Sequence, residues 1–455
     1  MGDVAQVKVV FTTTEQDLVL PDSKQQLLVP ADIKRYGLSR ILNSESMLDT
    51  SSPIPLDFLA NGTFLRTSIE EYLATNGLSS ESTLTLQYVR SLLPPVYEAS
   101  FEHDDWVGGI DLLSATSRAG LLVGGSNIPE RVASASYDGL VRVWNPSGDA
   151  IAVSPAGRAG GHTQRANAVK WISQKQLASV GLDRKVIVWD YSESEDGFSG
   201  ALKSSMELWG HEKEINSLDI NGATKRILTA SSDGKVGLWT SSKRTAPQAD
   251  PESLPSAHST KRAKLASAAN TAQRGPLALI PVHDEPVTAA IFHPNDATVA
   301  YSASKDHTVR TIDLTTQREV SRLTTMHPLL CATALPGSSL VAAAMTLRGH
   351  VNMVVSLAPS PENDHSLVSG SHDSTCRVWD LRSVRMGTSE EGGGSVSEPV
   401  YTIGREWLKG KKLPVAGDGA KVLSVAWDQS WGIVSGGEDK KVQINRGRDL
   451  FGPGS

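Results

Sequence analysis

Serine, histidine and aspartate recur together along this chain, and these residue types can form the catalytic triad of a serine hydrolase. The two clearest sets are Ser231, His211 and Asp233, and Ser371, His350 and Asp373. A hydrolase needs its triad at one place only, whereas this combination returns at regular intervals. The repetition therefore favours a structural hydrogen-bond network over a catalytic site.

A fixed spacing links these aspartates to a residue six positions later. The pairs are Asp138 and Trp144, Asp183 and Trp189, Asp233 and Trp239, Asp306 and Ile312, Asp373 and Trp379, and Asp439 and Asn445. A histidine precedes four of the aspartates by 21 to 23 residues, at His162, His211, His283 and His350. This spacing resembles the WD repeat, in which each repeat supplies four strands to one blade of a β-propeller.

The residue types of each repeat predict a hydrogen-bonded quartet. A buried tryptophan is a large apolar anchor whose indole N–H needs an acceptor, and serine, histidine and aspartate can continue the chain of hydrogen bonds. We predict one structural quartet in the third blade and one in the sixth: Trp239, Ser231, His211 and Asp233, and Trp379, Ser371, His350 and Asp373.

The fold class predicted by the repeats is mainly β, with a seven-bladed propeller over residues 97–455. Two long connections, 241–279 and 383–418, are expected to be insertions, because they are rich in small and charged residues. A shortened fifth blade is expected over 326–349, since this segment has no Asp-x₅-Trp ending.

Closure of the ring is expected to involve both ends of the propeller. The last repeat supplies only three strands, from Val422 to Asn445. An open blade would expose an unpaired edge, so we expect residues 96–102 to add the fourth strand.

A separate domain precedes the propeller, since none of the ten tryptophans occurs in the first hundred residues. Its alternating periods predict the order ββαββαβ, with a second strand formed by Leu18–Leu20 and Leu27–Val29. This order resembles the small α+β ubiquitin-like (β-grasp) fold. We assign residues 1–92 to this domain and 93–96 to a proline-containing linker.

Composition excludes several classes of protein. The chain has 455 residues and a net charge of −6, so any nucleic acid must meet a local patch rather than an all-round basic surface. The two cysteines, Cys331 and Cys376, exclude a disulfide scaffold and a cysteine-type zinc site. No stretch approaches the about 20 apolar residues of a membrane span, so we expect no membrane contact.

A partner-binding rim is predicted from the residues that precede the turn aspartates. They are Tyr137, Leu182, Lys305, His372 and Glu438. The corresponding turns of a propeller gather on one face, and a mixture of aromatic, apolar and charged residues suits a protein–protein surface. The alternative is that each is simply a turn residue.

Two further clusters have alternative interpretations. His103-Asp104-Asp105 contains metal-binding residue types, but its position before Trp106 favours a turn at a strand end. The basic residues Lys261, Arg262 and Lys264 are either an ordinary solvated loop, or a nuclear-import signal or RNA-backbone contact.

The whole chain resembles the WD-repeat subunit of the pescadillo-containing (PeBoW) complex, which carries a Notchless-like ubiquitin-like domain. The motifs that carry the resemblance are Ile33-Lys34-Arg35-Tyr36-Gly37-Leu38-Ser39, Leu56-Asp57-Phe58-Leu59, Leu65-Arg66-Thr67-Ser68, Tyr72-Leu73, Leu93-Pro94-Pro95 and Asp439-Lys440-Lys441-Val442-Gln443-Ile444-Asn445. The shortened fifth blade departs from that pattern.

The resemblance implies a non-enzymatic scaffold of large (60S) ribosomal subunit biogenesis and pre-rRNA processing, located in the nucleus, nucleolus and nucleoplasm. Its implied partners are the block-of-proliferation and pescadillo subunits, the pre-60S particle and the AAA ATPase midasin. Direct contact with RNA stays open. A ubiquitin-pathway substrate adaptor and an enzyme with its site at the propeller centre are the competing interpretations.

Glu81 is the one ligand that the resemblance selects. It matches the acidic residue after Gly77-Leu78-Ser79-Ser80 in related ubiquitin-like domains, ahead of Asp22, Asp32, Glu45 and Asp49. The resemblance implies that Glu81 binds in trans to a Mg²⁺ ion held by the metal-ion-dependent adhesion site of midasin, so no cofactor of the chain's own is expected.

Overall fold

A computed structural model describes residues 5–50, 52–122, 128–254, 271–335, 346–387, 395–411 and 414–447. The chain is mainly β and consists of an N-terminal sheet with two helices, followed by a ring of blade-like sheets. The predicted fold class is confirmed.

The N-terminal domain is one mixed five-stranded sheet. Its elements are β1 (Gln6–Thr12), β2 (Gln26–Pro30), α1 (Arg35–Leu42), β3 (Leu56–Ala60), β4 (Thr63–Phe64), α2 (Ile69–Thr75) and β5 (Leu84–Arg90). The strand order is β2-β1-β5-β3-β4, with β1 parallel to β5, which is the arrangement of the β-grasp fold. Ser68 caps α2, because its hydroxyl accepts a hydrogen bond from the Glu71 amide at 3.3 Å.

Alternation along β1 builds the core of this domain. Val7, Val9 and Phe11 are fully or almost fully buried, and the Phe11 ring lies 6.2 Å from that of Phe58. The prediction that Leu18–Leu20 belongs to the second strand is wrong. The short 3-10 helix Gln16–Leu18 stands there, and Pro21, which lacks a backbone N–H, separates it from β2.

The propeller begins in β6 (Pro95–Glu102), two residues inside the segment predicted as a linker. Six blade sheets follow in the described residues. The first blade contains β7 (Val107–Leu113), α3 (Arg118–Leu121), β8 (Arg131–Ser136), β9 (Val141–Trp144) and β10 (Ala150–Val153). The second contains β11 (Ala166–Ser173), β12 (Gln176–Gly181), β13 (Lys185–Glu193) and β14 (Gly200–Trp209), and the third contains β15 (Ile215–Asn221), β16 (Arg226–Ser231), β17 (Lys235–Thr240) and β19 (Ala278–Pro281). The intervening β18 (Ala272–Arg274) pairs parallel with β14 as a fifth strand of the second blade. The fourth blade contains β20 (Val287–Phe292), β21 (Val299–Ser304), β22 (Thr308–Asp313) and β23 (Arg318–Thr324). The sixth contains β25 (Val354–Pro359), β26 (Ser366–Ser371), β27 (Thr375–Asp380) and β30 (Pro399–Gly404), and a separate small sheet is formed by β24 (Thr346–Leu347), β28 (Arg385–Met386) and β29 (Ser395–Ser397). The seventh contains β31 (Val422–Asp428), β32 (Gly432–Gly437) and β33 (Lys441–Gly447).

Both predicted insertions contain blade strands. β19, which begins within 241–279 and ends at Pro281, pairs with β17 as the outer strand of the third blade. β30, within 383–418, pairs with β27 as the outer strand of the sixth. The prediction failed there because outer strands lack the Asp-x₅-Trp signature.

The seventh blade is completed from the other end of the propeller. β6 pairs antiparallel with β33, from Lys441 opposite Glu102 to Gly447 opposite Pro95. The cluster at this seam is continuous with the first blade, since Phe101 stacks on Trp144 with ring centroids 5.5 Å apart. The ring is thus closed by a strand that directly follows the N-terminal domain.

The fifth position of the ring is occupied by the extended segment 329–335. A contact that repeats from blade to blade shows this. The Asn167 side chain of the second blade donates to the Ile215 carbonyl, at the start of the innermost strand of the third blade. The Asn216 side chain of the third blade donates to the Val287 carbonyl, at the start of the innermost strand of the fourth. Thr288 donates in the same way to the Leu329 carbonyl at 2.9 Å.

The described part of the fifth blade is therefore its innermost segment. Residues from seven innermost segments, including 330–334, line one central channel of about 920 Å³. Residues 336–345, within the fifth blade predicted over 326–349, lie outside the described residues.

The N-terminal domain rests on the sixth blade. The Val384 amide donates to the Gly62 carbonyl at 2.8 Å, and the Tyr401 hydroxyl donates to the Leu92 carbonyl at 2.8 Å. Arg382 spans the junction, since its guanidinium binds Asp380 and also approaches Glu15 at 3.4 Å. The domain is held by backbone contacts in addition to its covalent link.

Closure by β6 can be tested by truncation. A chain that lacks residues 1–106 loses β6 and leaves the edge of β33 unpaired, so it should be insoluble or melt at least about 10 °C lower than a chain that lacks only 1–94. Tryptophan fluorescence during thermal unfolding measures this. Equal melting temperatures for the two truncated chains would show that β6 does not hold the ring closed.

Candidate interaction surfaces

The Ser/His/Asp pattern forms a buried structural network in the third blade. The indole N–H of Trp239 donates to the hydroxyl of Thr229 at 2.8 Å, and that hydroxyl lies 2.8 Å from Nε2 of His211. Nδ1 of the same ring lies 2.9 Å from a carboxylate oxygen of Asp233. Trp239 is fully buried, so burial of the anchor and satisfaction of its N–H depend on one another.

The hydroxyl of this network is Thr229 and not the predicted Ser231. Both residues lie on one face of β16, and two residues along a strand are separated by about 6.6 Å. In the register of the sheet Thr229 faces Gly237, within diagonal reach of Trp239, whereas Ser231 lies one step further and bonds the Glu214 carbonyl at 2.9 Å. A Cβ atom at Gly237 would lie only 2.5 to 2.7 Å from the Thr229, Trp239 and His211 atoms of the network.

The same correction applies to the sixth blade. Trp379 donates to Ser369 at 2.8 Å, and Nε2 of His350 lies 2.7 Å from the same hydroxyl. Ser371 instead donates to the Asn352 carbonyl at 3.2 Å. Equivalent networks occur in two further blades, formed by Trp189, Ser179, His162 and Asp183, and, without a tryptophan, by Ser302, His283 and Asp306.

The network holds its aspartates in the ionised form. Burial alone would raise the pKa of Asp233, but the hydrogen bond and charge of His211, together with backbone amides, lower it to about 2. Because similar networks recur in separate blades, the arrangement stabilises each blade and offers no single reactive centre.

His103 is a network residue that the sequence interpretation missed. Its Nε2 lies 2.8 Å from the Ser134 hydroxyl, which also accepts the indole N–H of Trp144. It therefore takes the place of the histidine in the first blade, although it directly follows β6, which is a strand of the seventh blade. Its Nδ1 is buried without a partner in the described residues. The metal interpretation of His103-Asp104-Asp105 gains no support from these contacts.

In the seventh blade an arginine replaces the histidine. Arg405 pairs with both carboxylate oxygens of Asp439, at 2.6 and 2.7 Å, and donates to the Ser435 hydroxyl at 2.8 Å. The two charged side chains are almost completely buried. A bidentate pair with its remaining donors satisfied offsets the cost of removing two charges from water.

The five rim residues occupy equivalent positions. Each donates its backbone N–H to the carbonyl just before the innermost strand of its own blade. The contacts are Tyr137 to Trp106, Leu182 to Arg165, Lys305 to Pro286, His372 to Met353 and Glu438 to Lys421. We call the face of the propeller on which the innermost strands begin the upper face, and the opposite one the lower face.

Glu438 is not a free rim charge. It is buried, and its carboxylate accepts the Gly419 amide at 2.8 Å and lies 3.3 Å from Nζ of Lys421. Leu182 and Lys305 are exposed, whereas Tyr137 and His372 are partly buried. The expectation that Glu438 serves as an exposed rim charge is therefore wrong, because the loop that precedes β31 folds over it.

Exposed apolar side chains stand beside the rim residues on the upper face. Val351 and Val415 are 88% and 86% exposed, and Met353 is 54% exposed. They belong together, since the Asn352 side chain donates to the Ala416 carbonyl at 3.1 Å. Sequence pattern did not predict these positions because they lie in connections outside the repeat signature.

Glu81 lies at an exposed turn of the N-terminal domain. Its amide donates to the Ser79 hydroxyl at 3.2 Å, and the backbone carbonyl of Ser79 accepts from Ser82. Within the described part of the chain its carboxylate has no hydrogen bond or ion pair. The side chain is therefore presented to solvent on a turn that is fixed from both sides.

The remaining candidates are a basic cluster, a metal site and a membrane span. Lys261, Arg262 and Lys264 lie outside the described residues. Among the residues that are described, no group of three or more His, Cys, Asp and Glu side chains is arranged to hold a metal ion. None of the described helices combines the length and apolar character needed to cross a membrane.

Comparison with known proteins decides the family. The model of the NLE (NUC135) domain matches residues 7–73, and that of the WD domain, G-beta repeat, matches 202–240, 274–313 and 342–380. The chain is 61% identical to the ribosome biogenesis protein YTM1 of Chaetomium thermophilum, with 98% of this chain and 97% of the relative covered. The chain belongs to the YTM1 family of ribosome biogenesis proteins.

More distant members of the YTM1 family match over the same length. The Neurospora crassa protein is 59% identical, with 98% of each chain covered, and the Aspergillus fumigatus protein is 48% identical, with 98% of this chain and 96% of the relative covered. The predicted family and a role in ribosome biogenesis are confirmed. The fold and the family thus agree on a two-domain chain with a WD-repeat propeller.

His103 should make the stability of the propeller depend on pH. Burial, reinforced by the charge of Arg142, lowers its pKa to about 4 from an ordinary value of about 6.5. Between pH 6.5 and 4 the His103 imidazole is neutral in the folded chain but protonated in the unfolded chain. Its contribution to the free energy of unfolding is therefore complete above pH 6.5 and is lost as the pH falls towards 4. Between pH 7 and 5 the loss is about 2 kcal/mol.

Urea unfolding followed by tryptophan fluorescence measures this loss, because all tryptophans lie in the propeller. His103→Gln should reduce the difference in unfolding free energy between pH 7 and 5, whatever its effect at pH 7. The same substitution at the exposed His327 is the matched control and should retain the difference. An unchanged pH dependence in His103→Gln would contradict the assignment.

Proposed function

We propose that the chain is a non-enzymatic assembly factor of the large (60S) ribosomal subunit that joins two partners through its two domains. The propeller binds the block-of-proliferation subunit, in a complex that also contains pescadillo. The N-terminal domain binds midasin, which removes the factor from pre-60S particles. The site of action is the nucleus, in the nucleolus and nucleoplasm.

The observation that carries this proposal is the free carboxylate of Glu81. A metal-ion-dependent adhesion site leaves one coordination position of its cation open, and Mg²⁺ prefers anionic oxygen ligands. Glu81 is exposed on a turn fixed by Ser79, and no group in the described part of the chain competes for its oxygens. Such a side chain suits ligation in trans.

The upper face supports the second half of the proposal. Interfaces between proteins concentrate apolar and aromatic side chains in their cores. Val351, Met353 and Val415 provide such side chains next to the partly buried His372. A second propeller is a partner broad enough to cover this face.

A ubiquitin-pathway adaptor is the competing function. Conjugation would require a free tail after β5, but Leu92 packs against the cluster shared by the sixth and seventh blades, and its carbonyl is bound by Tyr401. A pull-down from cell extract separates the two functions. Ribosome-assembly factors are expected, and capture of proteasome or ligase subunits in their place would overturn the proposal.

Glu81→Ala should abolish Mg²⁺-dependent binding of the full chain to the adhesion domain of midasin while leaving propeller binding intact. Glu81→Asp should also weaken binding, because a side chain one methylene shorter cannot reach the same coordination position. Surface-immobilised adhesion domain, with Mg²⁺ or with chelator, gives the measurement.

Asp32→Ala is the matched control for Glu81, since Asp32 is another exposed acidic residue of the same domain. It should bind as the unmodified chain does. If Glu81→Ala also binds with unchanged affinity in Mg²⁺, Glu81 is not the ligand, and Asp22 and Asp49 become the residues to test.

The upper-face interface can be tested with Val351→Glu and Val415→Glu in one chain. Two charges in an apolar interface should weaken binding to the block-of-proliferation propeller at least about tenfold, without lowering the melting temperature. The matched control is Val320→Glu with Leu323→Glu, two exposed apolar residues on the outer strand β23. Equal affinity of the two double variants would place the interface elsewhere, on the blade sides or lower face.

A further inference from the structure

A wholly polar pocket of about 310 Å³ opens on the lower face, between the second and third blades. It is lined by Lys225, Lys243, Arg244, Gln176, Asp190 and three serines. The pocket is separate from both surfaces discussed above, because its residues follow the lower ends of β11, β15 and β17 or lie in the adjoining strands. No apolar or aromatic side chain lines it.

Hydrogen bonds fix the backbone that carries the three cations. Lys225 closes the turn between β15 and β16 with a left-handed φ of 55°, and its carbonyl accepts the Ser241 amide at 2.9 Å. The Ser242 carbonyl accepts the amides of Thr245 and Ala246 at 3.2 and 3.0 Å. Lys243 and Arg244 thus stand on a closed turn beside Lys225.

The pocket is cationic in a chain whose net charge is −6. Asp190 is its one carboxylate, and this group accepts from the Gln176 side chain at 2.8 Å and lies 3.9 Å from Nζ of Lys243. Three cations against one carboxylate leave a local excess of two positive charges. The exposed Lys203, directly opposite Asp190 in the register of β13 and β14, adds to this excess.

The chemistry of the lining identifies the ligand. Lysine, arginine and serine side chains are donors to phosphate oxygens, and phosphate contacts position a nucleic acid without reading its sequence. Without an aromatic ring there is no platform on which a base could stack. An acidic protein partner would in addition need apolar contacts, which the pocket does not offer.

We propose that this pocket binds the phosphodiester backbone of RNA without selecting its sequence. The contact goes beyond the proposed function, because it needs neither of the two protein partners. It places RNA on the lower face and leaves the upper face free.

Fluorescence anisotropy of the full chain with a labelled single-stranded RNA of about 20 nucleotides tests the proposal. Lys225→Glu, Lys243→Glu and Arg244→Glu in one chain should weaken binding at least tenfold at about 0.1 M salt. The slope of log affinity against log salt should fall by about 2, since each phosphate contact to a single strand contributes about 0.7. The corresponding glutamine triple gives the same test if the glutamate triple melts early.

The matched control makes an equal change of charge on the upper face, with Arg158→Glu, Arg184→Glu and Lys213→Glu. This chain should bind the RNA within about threefold of the unmodified one. Equal weakening in both triples would overturn the proposal, because it would show a response to net charge alone. Displacement of the RNA by poly-glutamate of equal charge concentration would also overturn it, in favour of an acidic protein ligand. Neither result of the RNA assay bears on the capture of protein partners in the pull-down. A failure of the RNA proposal can therefore be distinguished from a failure of the proposed function.

Discussion

Closure of the ring is the constraint on which the rest of the structure depends. Each blade buries apolar side chains on both of its faces, so every blade needs a neighbour on either side. The pairing of β6 with β33 supplies the last neighbour and joins the seventh blade to the first. Because β6 directly follows the N-terminal domain, closure also anchors that domain, and Leu92 enters the cluster between the sixth and seventh blades.

The buried networks show which part of the repeat signature is essential. What recurs is a hydroxyl bonded to a histidine or arginine side chain, which in every described blade except the first also holds a carboxylate. The hydroxyl accepts an indole N–H in the first, second, third and sixth blades, whereas Ile312 and Asn445 stand at the tryptophan position of the fourth and seventh. Thr229 replaces serine in the third blade, and Arg405 replaces histidine in the seventh. The constraint is the satisfaction of buried donors and acceptors, and several residue types meet it.

Spacing along the sequence predicted the repeats, the β-grasp order and the source of the closing strand, since each depends on a periodic pattern. It could not distinguish Thr229 from Ser231, because both hydroxyls lie on one face of β16 and only the register shows which one Trp239 reaches. His103 was missed since it follows β6, a strand of the seventh blade, and so does not occupy the place in the chain at which the other repeats carry their histidine. The burial of Glu438 depends on a loop fold that no local pattern encodes. Whether Glu81 binds a partner's cation stays a prediction.

The fifth position shows how the innermost segments keep the ring continuous. The segment 329–335 receives the contact from Thr288 that a complete blade receives at the start of its innermost strand. The thiol of Cys331 then lies 3.5 Å from the carbonyl of Val354, at the start of β25, so the series of contacts around the channel continues to the sixth blade. The innermost segments therefore set the circumference of the ring, while the outer strands vary, since the second blade carries a fifth strand, β18. Surfaces on the upper and lower faces are carried by turns at the two ends of these inner strands, so their geometry depends on the continuity of the inner ring.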